Sequence, residues 1–235
     1  MENRERVHAL SLPRVIALLV HYFVGYMYVY GIVISRITLA IDPNAKMILP
    51  SLQIATYVFT IVIALLLAWP VIKQGYNKFK EAPLQNIKLI IGLAVVLLCV
   101  NVTLSMVVSL ISNSNGSNNQ EVIRQASNVV PMITLLSTCI AAPLVEECVF
   151  RGGVYGYLRK KTNFIVAIIV SSILFGSIHF VDTLLIGDFS DIIYLFVYAG
   201  LGVVLAFSYE KSNSILVPFG IHFLNNAISM IAMLL

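Results

Sequence analysis

The sequence predicts an all-α fold, a polytopic bundle of about seven to eight transmembrane helices. The chain is 59% hydrophobic and only 11% charged, whereas soluble domains contain about 25% charged residues. Long apolar runs recur along the whole chain, and about 20 apolar residues are enough for a helix to cross a bilayer. No internal repeat is apparent, so we expect a single membrane domain over residues 1–235.

Seven apolar segments account for most of the chain. They are Val15–Ser35, Met47–Ile72, Leu89–Ile111, Val129–Leu158, Phe164–Phe180, Ile192–Tyr209 and Ile215–Leu235. The fourth is long enough to be split, which would give eight helices. The stretch 112–125 is rich in Asn and Ser, and we expect its part 113–119 to be a solvated loop, although a short interfacial helix within 112–125 is an alternative.

The basic residues predict an orientation. From the N-terminus to the sixth loop, successive hydrophilic segments contain 3, 2, 4, 1, 3, 0 and 1 Lys or Arg residues. Because cytoplasmic loops are enriched in these residues, the N-terminus is expected in the cytoplasm and the C-terminus outside. The net charge of +4 therefore reflects membrane topology, and no nucleic-acid partner is expected. The three cysteines lie in apolar segments at spacings typical of neither a zinc site nor a disulfide framework.

Three charged side chains interrupt the fourth apolar segment, within the sequence Ala-Pro-Leu-Val-Glu-Glu-Cys-Val-Phe-Arg-Gly at 142–152. A charge at the bilayer centre costs about 2.5–3.5 kcal/mol on insertion scales, and intramembrane charges usually mark a functional site. Glu147 and Arg151 are four residues apart and can pair on one helix face. Glu146 points about 100° away, so it is available for chemistry or for a partner on another helix. The alternative is a structural ion pair with one spare acid.

Two histidines and an asparagine are the other candidate site residues. His179 ends the fifth segment, with Phe175 one turn before it, and His222 lies in the seventh segment, four residues before Asn226. Two polar groups on one buried helix face need hydrogen-bond partners. The candidates also follow residues that weaken helices: Pro143 precedes Glu146, Gly176 precedes His179, and Pro218 and Gly220 precede His222.

These residue types can activate water in a polar pocket. Glu146 could take a proton from water as a general base while His179 binds the same water. His222 and Asn226 could then donate to the oxyanion formed when water attacks a peptide carbonyl. Alternatively, Glu146, His179 and His222 could be three ligands of a catalytic zinc. The HExxH pattern is absent from the sequence, and residue spacing does not decide between the two alternatives.

The same residues carry a resemblance to a known family. In order along the chain, Glu146-Glu147-x-x-x-Arg151, Phe175-x-x-x-His179 and His222-x-x-x-Asn226 resemble the three motifs of the CAAX-protease and bacteriocin-processing (Abi, or CPBP) family of intramembrane endopeptidases. The resemblance covers about residues 120–235, so residues 1–112 are expected to form three N-terminal spans and 120–235 the catalytic core.

The resemblance implies a helical fold with an active-site cavity inside the membrane and hydrolysis of a peptide bond by an activated water. Glu146, His179, His222 and Asn226 would be the catalytic residues, and Glu147, Arg151 and Phe175 would support them. The partners would be membrane lipid and a peptide or lipidated-protein substrate. A zinc ion and a metal-free water are both compatible with the family.

In this family, eukaryotic and archaeal relatives trim prenylated CAAX tails, whereas many bacterial relatives are linked to bacteriocin immunity or peptide maturation. We favour the bacterial role, in a plasma membrane, because the chain is compact and lacks long appended loops. Two other functions stay open at this point. One is a non-catalytic binding or regulatory protein of the same fold. The other is a proton-coupled transporter in which Glu146 and the histidines form a relay, although the repeated halves that are common in transporters are not evident.

Overall fold

The computed structural model describes residues 9–114 and 116–234, which contain helices and no strand. Arg4 and Arg6, which contribute to the predicted orientation, and Asn115 of the polar stretch lie outside the described residues. Contiguous helical segments in these ranges form α1 (Leu12–Ile41), α2 (Pro50–Glu81), α3 (Pro83–Ser112), α4 (Asn118–Val129), α5 (Pro131–Lys161), α6 (Phe164–Ser177), α7 (Val181–Leu185), α8 (Ser190–Ser212) and α9 (Leu216–Leu234).

Six helices in the described part of the chain are long and apolar enough to cross a membrane. They are α1, α2, α3, α5, α8 and α9. The fifth apolar segment forms α6, which has 14 residues and is therefore about 21 Å long, shorter than a bilayer core of about 30 Å. The predicted class, an integral multi-pass helical bundle, is confirmed. The fourth segment is not split, because α5 runs without a break for 31 residues.

The polar stretch contains a helix that begins earlier than expected. The prediction of a solvated loop over 113–119 is wrong at its end, since α4 begins at Asn118. Ser117 accepts a hydrogen bond from the Gln120 backbone, and the Gln120 side chain accepts one from the Ser117 backbone, which is a capping box. The Asn118 N–H also donates to Asp191 Oδ2 at 2.8 Å. This hydrogen bond connects the start of α4 to the start of α8.

Helix α5 lies at the centre of the bundle. In its most apolar stretch 56% of the residues are buried, against 11% for α3. Phe150, Arg151 and Tyr155 are among the largest side chains that are fully buried. Helix α1 packs against this region with Leu18 and Tyr22. The charged motif therefore occupies the protein interior and does not face lipid.

Helices α6 and α8 approach each other closely because small residues lie at their contact. A Cβ atom at Gly202 would lie 2.9 Å from Ser172 Cα, and one at Gly176 would lie 2.9 Å from the Ala199 backbone N. Small residues at helix contacts are typical of membrane proteins, where packing drives association. This close contact positions the end of α6, and the turn after it that contains His179, against α8.

Helix α5 is π-helical over two stretches, Ser137–Ala141 and Glu147–Tyr155. Pro143 has no N–H and cannot continue the regular hydrogen-bond pattern between them. π-Helical turns change the direction of side chains and occur frequently at functional sites. Glu146 lies between the two stretches, as expected for a residue after a helix weakener, and α6 ends one residue after Gly176. By contrast, α9 continues unbroken through Pro218 and Gly220.

Candidate active site

The four candidate catalytic side chains line one cavity of about 510 Å³. Glu146 comes from α5, His179 from the turn after α6, and His222 and Asn226 from α9. The structure therefore brings together residues that are separated by as many as 80 positions in the sequence. Their convergence is a property of the fold, whereas their catalytic role stays a prediction.

Glu146 is buried, with 5% of its surface exposed, and its two oxygens face different groups. The Tyr22 hydroxyl donates to Oε1 at 3.2 Å. Oε2 lies 3.8 Å from His222 Nε2, which is longer than a direct hydrogen bond and is a separation that a water can bridge. The carboxylate that the sequence leaves without a local cation thus has its partners on α1 and α9.

Glu147 pairs with Arg151 as predicted, at 3.1 Å between Arg151 Nη1 and Glu147 Oε1. The same oxygen accepts a hydrogen bond from His222 Nδ1 at 2.9 Å. Because a carboxylate only accepts, His222 carries a proton on Nδ1, and the neutral ring presents the lone pair of Nε2 towards Glu146. If His222 also donates to an oxyanion through Nε2, its ring must be doubly protonated.

Besides its pair with Glu147, Arg151 contacts the Phe175 ring and the carbonyl of Gly202. The guanidinium lies 4.3 Å from the centre of the Phe175 ring, within cation–π range, and Arg151 Nη2 donates to Gly202 O at 3.3 Å. Phe175 also makes edge-to-face contacts with the rings of His179 and His222. The supporting residue predicted from the second motif therefore contacts both imidazoles and the buried cation.

His179 has one ring nitrogen that faces no protein partner. Its ring stacks on Tyr198 with 4.0 Å between ring centres. Its Nε2 atom is buried and has no hydrogen-bond partner among the described residues. Buried polar atoms are normally satisfied by protein or by ordered water, so a water or a substrate atom in the cavity is the expected partner of this nitrogen.

Asn226 is oriented by a row of carboxamides. Its Nδ2 donates to Thr138 O at 2.9 Å, and its Oδ1 accepts from Asn225 Nδ2 at 3.0 Å. Asn225 in turn accepts from Asn101 Nδ2 of α3 at 3.3 Å. One of the two amide hydrogens of Asn226 is used by Thr138, which leaves the other for a cavity group.

Sequence reasoning missed Tyr22, Asn225 and Asn101 as members of the site. Tyr22 lies in a segment rich in tyrosine, Asn225 precedes a candidate residue, and Asn101 is a polar residue in a predicted span. None of these signals identifies a hydrogen-bond partner. The Tyr22–Glu146 and Asn101–Asn225 contacts each join residues 124 positions apart. The contact between Asn225 and Asn226 depends on the rotation of α9.

The zinc alternative does not fit the arrangement of side chains. Among the residues that the structure describes, no three His, Cys, Asp or Glu side chains are grouped so as to hold a metal ion. His222 Nδ1 is already engaged by Glu147, and His222 Nε2 lies 3.8 Å from Glu146 Oε2. A catalytic zinc requires three protein ligands around one point, so we derive no step through a metal.

A comparison with models of protein families finds a match, which lies in the second half of the chain. Residues 128–228 match the model of the family "Type II CAAX prenyl endopeptidase Rce1-like". The matched range includes every candidate residue from Glu146 to Asn226, but neither Tyr22 nor Asn101. No solved structure matches the chain.

Three bacterial proteins are similar in sequence. "Putative membrane peptidase YdiL" of Bacillus subtilis (strain 168) is 32% identical over 118 residues, 50% of this chain and 44% of the relative. "Membrane-embedded CAAX protease MroQ" of Staphylococcus aureus (strain USA300) is 28% identical over 152 residues, 62% of this chain and 57% of the relative. UPF0177 protein YvdC of Lactococcus lactis subsp. lactis (strain IL1403) is 24% identical over 145 residues, 62% and 52% of the two chains. The chain thus spans about half the length of these relatives.

Proposed function

We propose that the chain is an intramembrane endopeptidase, because its residues 128–228 match the model of the Rce1-like family of type II CAAX prenyl endopeptidases. It hydrolyses a peptide bond of a membrane-associated peptide or protein with a water activated by Glu146. The observation that carries the proposal is the shared cavity. It is lined by the buried carboxylate of Glu146, by the carboxamide of Asn226 and by His179, whose Nε2 has no hydrogen-bond partner in the described part of the chain.

The reaction begins with a water held between Glu146 and His179. Glu146 takes one proton from this water as a general base, while His179 Nε2 is a second hydrogen-bond partner. The water oxygen forms a bond to the carbonyl carbon of the peptide, whose oxygen becomes an oxyanion. The second N–H of Asn226 donates to this oxyanion, and a doubly protonated His222 would add another donor.

The leaving amine requires a proton before the peptide bond breaks. The proton that Glu146 took from water is transferred to the amide nitrogen, so the carboxylate acts first as base and then as acid. The products are one carboxylic acid and one amine, which become a carboxylate and an ammonium when the acid passes its proton to the amine, and the side chains return to their initial state. Tyr22 donates to Oε1 of Glu146, which leaves Oε2 to exchange the proton.

Peptide cleavage by purified protein tests this proposal. We expect Glu146→Gln to lower turnover by about 10²–10⁴-fold, the usual contribution of a general base. Glu81→Gln is the matched control, because Glu81 is an exposed acid that pairs with Lys78 at the end of α2, and it should keep the wild-type rate. Equal turnover by the Glu146→Gln protein and the wild type would remove Glu146 from the chemistry.

We propose peptide maturation or bacteriocin immunity in the bacterial plasma membrane as the cellular role. The support is the family resemblance together with the bacterial origin of the similar proteins. Complementation of a deletion strain with the wild type or with Glu146→Gln tests it, with secreted peptides and bacteriocin sensitivity as readouts. Full rescue by the Glu146→Gln protein would favour a non-catalytic binding role.

A further inference from the structure

The cavity extends from Glu146 towards one face of the bundle, as its lining residues show. We call this the α4 face, which contains residues 42–49, 113–130 and 178–189, and we call the opposite face, with residues 82, 162–163 and 213–215, the basic face. From Glu146 to the α4 face, the cavity is lined by residues such as Gln53, Asn119, Gln120, Asp182 and Met233. Within the described residues, no lining residue comes from the loops of the basic face.

The two faces differ in charge. The basic face and the helix ends next to it hold Arg14, Lys73, Lys78, Lys80, Lys88, Arg159, Lys160, Lys161 and Lys211, together with Glu81 and Glu210. The corresponding residues at the α4 face are Arg36, Lys46 and Arg124, together with Asp42, Glu121, Asp182, Asp188 and Asp191. Because cytoplasmic loops are enriched in Lys and Arg and acids have little influence, this distribution predicts that the α4 face is the non-cytoplasmic one.

The described residues that line the cavity include no Lys or Arg side chain that could bind a negatively charged ligand, whereas Asp182 lies at its mouth. Arg151 is 1% exposed and is held by Glu147 and the carbonyl of Gly202. A free carboxylate is normally bound by a basic side chain or by a cluster of backbone N–H groups.

The polar groups near the mouth instead match a peptide main chain. Gln53 of α2 and Asn119 and Gln120 of α4 line this part of the cavity, and a carboxamide can donate and accept, as a peptide bond does. Tyr26, Tyr57 and Met230 also line the cavity and add apolar surface to it. Such a lining can hold an uncharged stretch of extended peptide.

We propose that the substrate reaches Glu146 from the α4 face, on the non-cytoplasmic side of the membrane, as an internal peptide segment that is cut without recognition of a free C-terminal carboxylate. The chemistry rests on the proposed function. The side of access rests on the position of the cavity and the distribution of charge, and it is tested independently of cleavage.

Cysteine labelling in right-side-out membrane vesicles tests the side of access. In a Cys99→Ala background, which leaves only the buried Cys139 and Cys148, single substitutions Asn119→Cys and Asp188→Cys report on the α4 face, and Lys160→Cys on the basic face. We expect a membrane-impermeant maleimide to label the first two in sealed vesicles and Lys160→Cys only after permeabilisation. Labelling of Lys160→Cys in sealed vesicles, with Asn119→Cys and Asp188→Cys reacting only after permeabilisation, would overturn the proposal.

Paired peptides test the substrate class. Each fluorogenic peptide of a mixed set is offered to the purified full chain with a free and with an amidated C-terminus. We expect kcat/KM to be equal for the two forms. A loss of about tenfold or more on amidation, the size of one charge-assisted hydrogen bond, would overturn the internal-segment assignment. Cleavage of neither form, while the labelling pattern is as expected, would instead count against the proposed function.

Discussion

Glu147 Oε1 accepts hydrogen bonds from both Arg151 Nη1, at 3.1 Å, and His222 Nδ1, at 2.9 Å. A single oxygen thus joins the buried cation of α5 to an imidazole of α9. The contact explains why two adjacent glutamates have separate tasks. Glu147 neutralises Arg151 and orients His222, while Glu146 faces the cavity.

Removal of Glu147 is expected to destabilise the protein strongly. Glu147→Ala leaves Arg151, which is 1% exposed, as an unpaired buried charge, and such changes typically cost about 3–5 kcal/mol. Thermal unfolding in detergent would measure the loss. Glu121→Ala breaks an exposed pair with Arg124 and should leave the midpoint unchanged. Similar midpoints for the two variants would show that the buried pair is not a structural requirement.

Tyr22→Phe should slow cleavage without unfolding the protein. The change removes the hydrogen bond to Glu146 Oε1 but keeps the edge-to-face contact of the ring with Phe150. Loss of one such bond corresponds to about a tenfold fall in turnover. Tyr76→Phe, at an exposed position of α2, is the control. An unchanged rate for Tyr22→Phe would mean that α1 does not contribute to orienting the carboxylate.

Asn225→Leu is expected to lower kcat more than it raises KM. Asn225 positions the Asn226 amide by donating to its oxygen, and a misplaced donor weakens binding of the oxyanion more than binding of the substrate. Asn86→Ala removes hydrogen bonds to the α2 carbonyls of Lys78 and Phe79 at the basic face. This control should lower the unfolding temperature and retain kcat. An unaltered kcat in Asn225→Leu would show that the row of carboxamides does not position the donor.

Gly202→Ala should separate α6 from α8. The added Cβ would lie 2.9 Å from Ser172 Cα, and overpacking of this kind costs about 1–3 kcal/mol. We expect a lower unfolding midpoint together with reduced turnover, because His179 follows α6. Gly92→Ala on α3 has no atom within 4 Å of the new Cβ and is the matched control. Equal stability of the two variants would contradict the close packing of α6 on α8.

Removal of metal should leave cleavage intact. The described side chains do not assemble three ligands around one point, and in the proposed reaction Glu146 and His179 hold the water without a metal. The purified protein is dialysed against a strong zinc chelator and assayed before and after, with and without added zinc. Loss of activity that zinc restores would establish a metal site formed on substrate binding and would replace the metal-free reaction.

Local signals in the sequence were sufficient for the fold class and for the Glu147–Arg151 pair. Both depend on short-range regularities, namely apolar run length and the spacing of four residues on a helix. The contacts of Glu146 with Tyr22 and His222 join three helices, and nothing in the spacing of residues along the chain encodes them. The carboxamide row from Asn101 to Asn226 is of the same kind.

The depth of each site residue along its predicted helix, as calculated from the sequence, does not indicate that these residues share a cavity. At about 1.5 Å per residue, the predicted segment ends place Glu146, His222 and His179 at about 18, 13 and 25 Å from the inner side, yet all three line one cavity. His179 is not inside a span, because it lies in the turn that follows α6. The π-helical stretches of α5 also shift the register around Glu146, and such shifts depend on tertiary packing as well as on Pro143.

The account depends on Glu146 and His179 holding the same water, and a double-mutant cycle tests this most directly. Turnover of a peptide is measured for the wild type, Glu146→Gln, His179→Ala and the double variant. Residues that act as one unit are strongly non-additive, so we predict that the double variant is no slower than the slower single variant. Multiplication of the two single effects in the double variant would show independent roles and contradict the shared water.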